Sequence, residues 1–295
     1  MCDVMGVKYD EEINITSSSS SSSVGVGLMF PVVSSFELLP SNRYGTSTLY
    51  FGAKVNGVGD INDDGVDDFA ITSPFASPPG LMTTQQQAGV VIVIWGKASS
   101  TSATEWPSIS SLPNITRGLM ITGSVKEQCI GFGVSGGGGG GGCDLNNDGV
   151  DDMIIGSQPT SVSNSAVFIV FGRHHHGGTS STSSPSSSWP STGIISISDI
   201  IDGVHGSKIV PGGEGWSTFF GFKTPQCVGD YNGDEFNDIL FGDKGADNNK
   251  GRSVLVYGRG SSSWPSIISV STTTASSFGG VIFTSSFYGA GLGWT

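Results

Sequence analysis

Positive charge is scarce in this chain. Its 295 residues carry 13 Lys and Arg against 25 Asp and Glu, for a formal net charge of −12. A basic stripe that would track a nucleic-acid backbone is therefore excluded. Histidine is scarcer still: three of the four stand together as His174-His175-His176 in a Gly/Ser-rich stretch. Such a homopolymer reads as a solvated insertion rather than a transition-metal site. The four cysteines, Cys2, Cys129, Cys143 and Cys227, show no metal-type C-x-x-C spacing and no disulfide grammar. Cys129 and Cys143 flank a glycine run and are candidates to pair, although buried thiols are the simpler expectation. No apolar stretch approaches the ~20 residues of a membrane helix. The first dozen residues have neither a basic n-region nor an apolar h-region, so no secretory signal is visible. No H-E-x-x-H helix, phosphate-cradling P-loop or G-x-S-x-G elbow is expected, and the lone His205 is weak support for a general base. No window sustains a 3.6-residue apolar period, so long amphipathic helices are excluded as well.

The acids that are present are concentrated. Asp60-Ile-Asn62-Asp63-Asp64-Gly65-Val66-Asp67-Asp68 has counterparts in Asp144-Leu-Asn146-Asn147-Asp148-Gly149-Val150-Asp151-Asp152 and in Asp230-Tyr-Asn232-Gly233-Asp234-Glu235-Phe236-Asn237-Asp238. These nine-residue turns hold five, four and four acids, 13 of the chain's 25. Each puts side-chain oxygens at positions 1, 3, 5 and 9, the donor type that a hard cation such as Ca²⁺ requires. Asp, Asn and Gly favour solvated turns in any case, but three copies at matched offsets favour a cation. The pattern is not an EF-hand. Position 12, which would supply a bidentate Glu, is Ile71, Ile155 or Phe241, and short strand-like runs follow where a helix should.

The turns mark an internal repeat, since Asp60, Asp144 and Asp230 are 84 and 86 residues apart. An aromatic-Gly pair precedes each turn (Phe51-Gly52, Phe132-Gly133, Phe220-Gly221). After it come a β-branched run ending in aromatic-Gly-basic (Trp95-Gly-Lys97, Phe171-Gly-Arg173, Tyr257-Gly-Arg259) and a Trp-Pro pair (Trp106, Trp189, Trp264). A further strand pattern then begins at Gly118, Gly206 and Gly280. Each unit reads as four short strands with turns between them. A single such sheet cannot bury both faces, so the units should stack. The expected fold is all-β, built of β-propeller-type blades of four antiparallel strands, with about three full blades and a partial one. The fourth unit begins at Tyr288-Gly289, and Gly27-Leu-Met-Phe30 looks like a preceding blade's last strand. Residues 1–23 read as a low-complexity segment and 24–295 as the repeat region. Segments 98–104 and 177–188 and the run Gly136–Gly142 read as loop insertions, the last on a frayed or bulged strand.

Aromatic-Gly, then Asp-x-Asn-x-Asp-Gly-x-x-Asp, then a Gly-Ala-Pro-like segment (Ile71-Thr-Ser-Pro74, Gly156-Ser-Gln-Pro159, Gly242-Asp-Lys-Gly-Ala246) resembles the FG-GAP repeat of integrin α-chain propellers. The resemblance covers roughly residues 25–290. It implies a propeller with Ca²⁺ in the hairpin loops, an extracellular or cell-surface setting, and adhesion or recognition of a protein or glycan ligand. No catalytic role is implied, and no membrane segment is expected in this chain. Further blades would come from a longer chain or from another chain. Carried over, the ligands are Asp60, Asn62, Asp64, Asp68 and the Val66 carbonyl; Asp144, Asn146, Asp148, Asp152 and the Val150 carbonyl; and Asp230, Asn232, Asp234, Asp238 and the Phe236 carbonyl. Glu235 replaces the Gly65 and Gly149 of the other turns, so the third site should be the weakest. The same repeat accompanies secreted hydrolases such as GPI-specific phospholipase D, so a non-catalytic accessory propeller is the alternative, with a structural surface-matrix protein as a further one. Asn14-Ile-Thr16 and Asn114-Ile-Thr116 are sequons whose use depends on secretion.

Overall fold

The computed structural model describes residues 50–78, 86–96, 118–137, 142–173, 189–190, 192–223, 225–271, 278–290 and 292–293. The segment 1–23, Gly27–Phe30, Trp106, His174–His176, Cys2 and both sequons lie outside them. Fourteen strands are defined: β1 (Val55–Gly59), β2 (Asp68–Ser73), β3 (Val90–Ile94), β4 (Gly118–Thr122), β5 (Ile130–Ser135), β6 (Met153–Ser157), β7 (Val167–Val170), β8 (Ile194–Ser196), β9 (Gly206–Gly212), β10 (Gln226–Gly229), β11 (Asp238–Asp243), β12 (Arg252–Val256), β13 (Ile267–Ser271) and β14 (Gly280–Thr284). Among the described residues, helix is confined to single turns such as α1 (Ile197–Ile200).

The strands form three sheets, in the orders β1-β2-β3-β4-β8, β5-β6-β7-β9-β13 and β10-β11-β12-β14. The first four strands of each are an antiparallel meander, as expected of propeller-type blades. The third strands are buried on both faces in blades one and two. Their β-branched and aromatic side chains suit a pleated surface covered from either side. Val91, Val93, Leu119 and Ile121 of the first blade pack against Met153, Ile155, Phe168 and Val170 of the second. Ile154, Val167, Ile169 and Ile209 meet Ile239, Phe241, Val254 and Val256 of the third in the same way. The core therefore lies between blades, and no single blade owns it.

Four-stranded antiparallel blades are a correct expectation for the third sheet and an incomplete one for the other two. β8 adds to β4 in parallel, Ile195 beside Ile121, and β13 adds to β9 in parallel, Ile268 beside Ile209. Both added strands belong to the connection between the third and fourth strands of the following unit. Each is short, Ser-rich and without turn signals of its own, so nothing local announces it. The Trp-Pro pair ahead of each strand is its anchor. Trp189 lies 6.0 Å from Trp95 and Trp264 lies 5.3 Å from Phe171, reaching back in each case to the aromatic that ends the previous blade's third strand. The approach to the second loop is bulged between Ile130 and Gly133, then remains paired through Ser135, so β5 is not frayed along that length.

The cysteine expectation is corrected. Cys143 is joined to Cys227, with Cα atoms 5.9 Å apart, and Cys129 is buried outside that bridge. Cys143 immediately precedes the second acidic loop and Cys227 sits in β10 just before the third, so the bridge ties neighbouring blades rather than closing a local ring.

Candidate functional site

Each acidic turn joins the first and second strands of a blade, and the three share one hydrogen-bond network. Position 1 receives two backbone N–H groups, joined in the third loop by the Gly233 N–H at 2.6 Å from Asp230. Asp60 accepts from Asp64 at 3.0 Å and Gly65 at 2.7 Å, Asp144 from Asp148 at 3.1 Å and Gly149 at 2.8 Å, and Asp230 from Asp234 at 3.1 Å and Glu235 at 2.9 Å. Position 3 accepts the same position-5 N–H: Asn62 at 2.9 Å, Asn146 at 3.0 Å, Asn232 at 3.1 Å. Position 5 accepts from position 7, so the N–H groups of Val66, Val150 and Phe236 reach Asp64, Asp148 and Asp234 at 3.0, 3.0 and 3.1 Å. Such Asx-type contacts curl the chain inward around the side-chain oxygens.

Position 9 closes each loop. Asp68 accepts from Ile61 N–H at 3.2 Å and Gly96 N–H at 2.7 Å. Asp152 accepts from Leu145 at 2.8 Å and Gly172 at 2.9 Å. Asp238 accepts from Tyr231 and Gly258, both at 2.9 Å. The glycine that ends each third strand thereby gains its reason. A Cβ there would stand 2.3 Å from the Asp67 carbonyl, 2.2 Å from that of Asp151 and 2.3 Å from that of Asn237. The aromatic-Gly-basic signature is thus a docking point for the loop, seen in sequence only as a recurring tripeptide.

Position 6 is left-handed in all three loops, with φ of 87° at Gly65, 87° at Gly149 and 74° at Glu235. The third loop places its glycine at position 4 instead, where Gly233 has φ 78° against 56° for Asp63 and 54° for Asn147. Asp and Asn tolerate that region better than Glu does, so the exchange leaves the third loop with the costlier residue.

The carboxylates crowd one another. Burial, reinforced by the charges of Asp64 and Asp60, pushes Asp68 up to about 7 despite its backbone hydrogen bonds. Burial likewise holds Asp152 well above the carboxylate range, with Asp148 and Asp144 adding to the effect. Asp238 is raised for the same reasons. Asp230 moves the other way, lowered first by the Glu235 N–H and then by its other loop amides. Among the described residues, no group of three or more His, Cys, Asp and Glu side chains is arranged to hold a metal ion. The oxygens in each loop come from three Asp, one Asn and a backbone carbonyl, and the Asp oxygens lie on loop N–H groups. A carboxylate offers about four lone-pair sites, so each retains acceptor capacity beyond those bonds.

Sequence reasoning passed over the residue at position 8. Asp151 accepts from Asp60 N–H at 3.0 Å and Cys143 N–H at 2.8 Å, clasping the starts of the first two loops. Asn237, its counterpart, donates to the Gly142 carbonyl at 3.1 Å. Loop position 2 is linked onward as well: the Ile61 and Leu145 carbonyls accept from Arg173 and Arg259 N–H at 2.9 and 3.1 Å.

Residues 52–94, which span the first loop and strands β1 to β3, match the family model of the FG-GAP repeat. That stretch is similar to an FG-GAP repeat. That repeat is a non-catalytic one whose family context is the extracellular, integrin-α-like propeller. A search of curated proteins finds no significant match to the chain. The second and third units repeat the first unit's backbone bonds to positions 1, 3, 5 and 9, and the third adds the Gly233 N–H to Asp230. The letters G-x-S-x-G do occur, at Gly133-Val-Ser135-Gly-Gly137, but they make no nucleophile elbow: Ser135 ends a strand and is buried, with its hydroxyl donating to the Pro225 carbonyl. His205 contacts Asp202 at 2.5 Å on an exposed turn. Among the described residues, no helix is long and apolar enough to cross a membrane.

Proposed function

We propose that each acidic loop binds one Ca²⁺ and that the blades form a calcium-stabilised, non-catalytic recognition or adhesion module. The observation that carries this reading is the threefold recurrence of one costly arrangement. Asp68, Asp152 and Asp238 are each buried, each raised, and each pressed by two further carboxylates of the same loop. A divalent cation relieves both the burial and the repulsion, and an all-oxygen donor set suits calcium. Its residents would be Asp60, Asn62, Asp64, Asp68 and the Val66 carbonyl in the first loop, with the corresponding sets in the other two. Bound there, the ion supplies charge neutralisation and stiffens the hairpin. The chain's own residues hold the loop closed through the position-9 carboxylates and the Gly96, Gly172 and Gly258 amides.

An extracellular or cell-surface setting is supported by the Cys143–Cys227 bridge, since disulfides persist in oxidising compartments, and by the millimolar calcium that such modules use. The ligand, a protein or glycan, would meet the connections at the end of the blades opposite the acidic loops. Calorimetric titration of the metal-free protein with CaCl₂ tests the metal assignment. More than one site should appear, the third loop should be weakest, Asp64→Ala and Asp148→Ala should each remove one site, and Mg²⁺ should compete poorly. An absence of binding heat, together with a melting temperature indifferent to chelator, would refute it.

A further inference from the structure

The third blade repeats the surface with which the first two blades receive a neighbour, and among the described residues no further blade packs on it there. Leu119, Ser207 and Val281 are equivalent, facing Val93, Ile169 and Leu255 across the third and fourth strands. Ile121, Ile209 and Phe283 are equivalent in the same way. In the first two blades all four of these side chains are 0% exposed, whereas Val281 is 37% and Phe283 48% exposed. At loop position 2, Ile61 and Leu145 are 0% exposed and Tyr231 is 74% exposed. Among the described residues no strand pairs with the outer edge of β14.

What closes the outer edge of the fourth strand elsewhere is on view twice. β4 and β9 each receive a parallel strand headed by Trp-Pro, whose central Ile lies beside Ile121 or Ile209. Its Trp packs on Trp95 or Phe171. The equivalent acceptors on the third blade are Phe283 and Tyr257. Unpaired strand edges with apolar side chains are templates for strand addition, in which main-chain bonds supply affinity and side-chain pockets supply specificity.

We propose that the outer face of the third blade is a docking surface for a polypeptide strand of the Trp-Pro-Ser-Ile type, added parallel to β14. Its Trp seats on Tyr257 and its second Ile lies beside Phe283. The open edge of β14 is then closed and Phe283 gains an apolar neighbour along it, as Ile121 and Ile209 do at the two joints inside the chain. This assignment does not depend on calcium, because it uses strand and aromatic positions outside the acidic loops.

The test is a fluorescence-anisotropy titration of the 295-residue protein into a labelled synthetic peptide with the sequence of residues 259–271, which contains Trp264-Pro265 and β13. Saturable binding is expected. Loss of one aromatic or apolar anchor should weaken it roughly tenfold, whether by Phe283→Lys or Tyr257→Ala in the protein or by Trp264→Ala in the peptide. The peptide variant leaves the protein untouched, so a folding defect cannot mimic that result. Three outcomes overturn the assignment: no saturable binding, binding indifferent to Phe283→Lys (the peptide then displacing β13 from β9), or self-association of the protein through β14 that excludes the peptide.

Discussion

Asp151 offers a sharp test of how neighbouring loops are joined. Its carboxylate takes the Asp60 N–H at 3.0 Å and the Cys143 N–H at 2.8 Å, one contact in each of two blades. Hydrogen bonds to a charged group contribute about 1.5–3 kcal/mol each. Because Asp151 is only half-buried, the lower figure applies, and Asp151→Ala should cost about 3 kcal/mol. At this chain length that corresponds to a fall of about 6 °C in melting temperature. Asp67 provides the internal control: it occupies the same loop position in the first unit and is exposed, so Asp67→Ala should change stability by less than about 0.5 kcal/mol. Urea unfolding of both variants with chelator present, followed by tryptophan fluorescence, removes any contribution of calcium. Equal effects of the two substitutions, or a loss below about 1 kcal/mol for Asp151→Ala, would show that the clasp does not join the blades.

Three further outcomes follow from the loops and the bridge. Glu235→Gly relieves a left-handed side-chain position with φ 74° and should stabilise the chelated protein by about 1 kcal/mol, measured by the urea midpoint; a destabilisation would mean the Glu side chain contributes more than its backbone costs. Reduction of the Cys143–Cys227 bridge should lower stability by about 2–4 kcal/mol, visible as a drop in melting temperature on adding reductant that Cys227→Ser reproduces. The pH dependence should be inverted relative to a salt-bridged acid. Asp68 holds its proton up to about 7 in the folded chain against an ordinary 3.8, so its contribution to stability is full below the lower value and is lost as pH rises through the higher one. Chelated protein should therefore be more resistant to urea at about pH 5 than at about pH 8 as far as these aspartates govern it. Excess Ca²⁺ should reverse that order, and equal resistance without calcium would count against crowded, buried carboxylates.

Much of this was written in short stretches of chain. The nine-residue loops, the strand runs on either side of them and the left-handed demand on Glu235 all follow from side chains that act on their own backbone within a few positions. The strands beginning at Gly118, Gly206 and Gly280 form where the short strand pattern of the sequence placed them. The cross-blade strands β8 and β13 had no such mark, because an Ile/Ser segment of three to five residues becomes a strand only when a neighbouring edge offers it hydrogen bonds. The Trp-Pro pairs were visible as a recurrence, but their role as anchors was not, since the aromatic each one meets belongs to the previous unit.

The local code of this chain therefore specifies strands and loops: turn chemistry and short β-branched runs are set by interactions too short in range to need a fold. How one blade is fastened to the next is settled by folding alone. Asp151 reaches Asp60 across 91 positions and Cys143 meets Cys227 across 84, and partners so far apart become neighbours only when burial of the shared interblade core brings the sheets together.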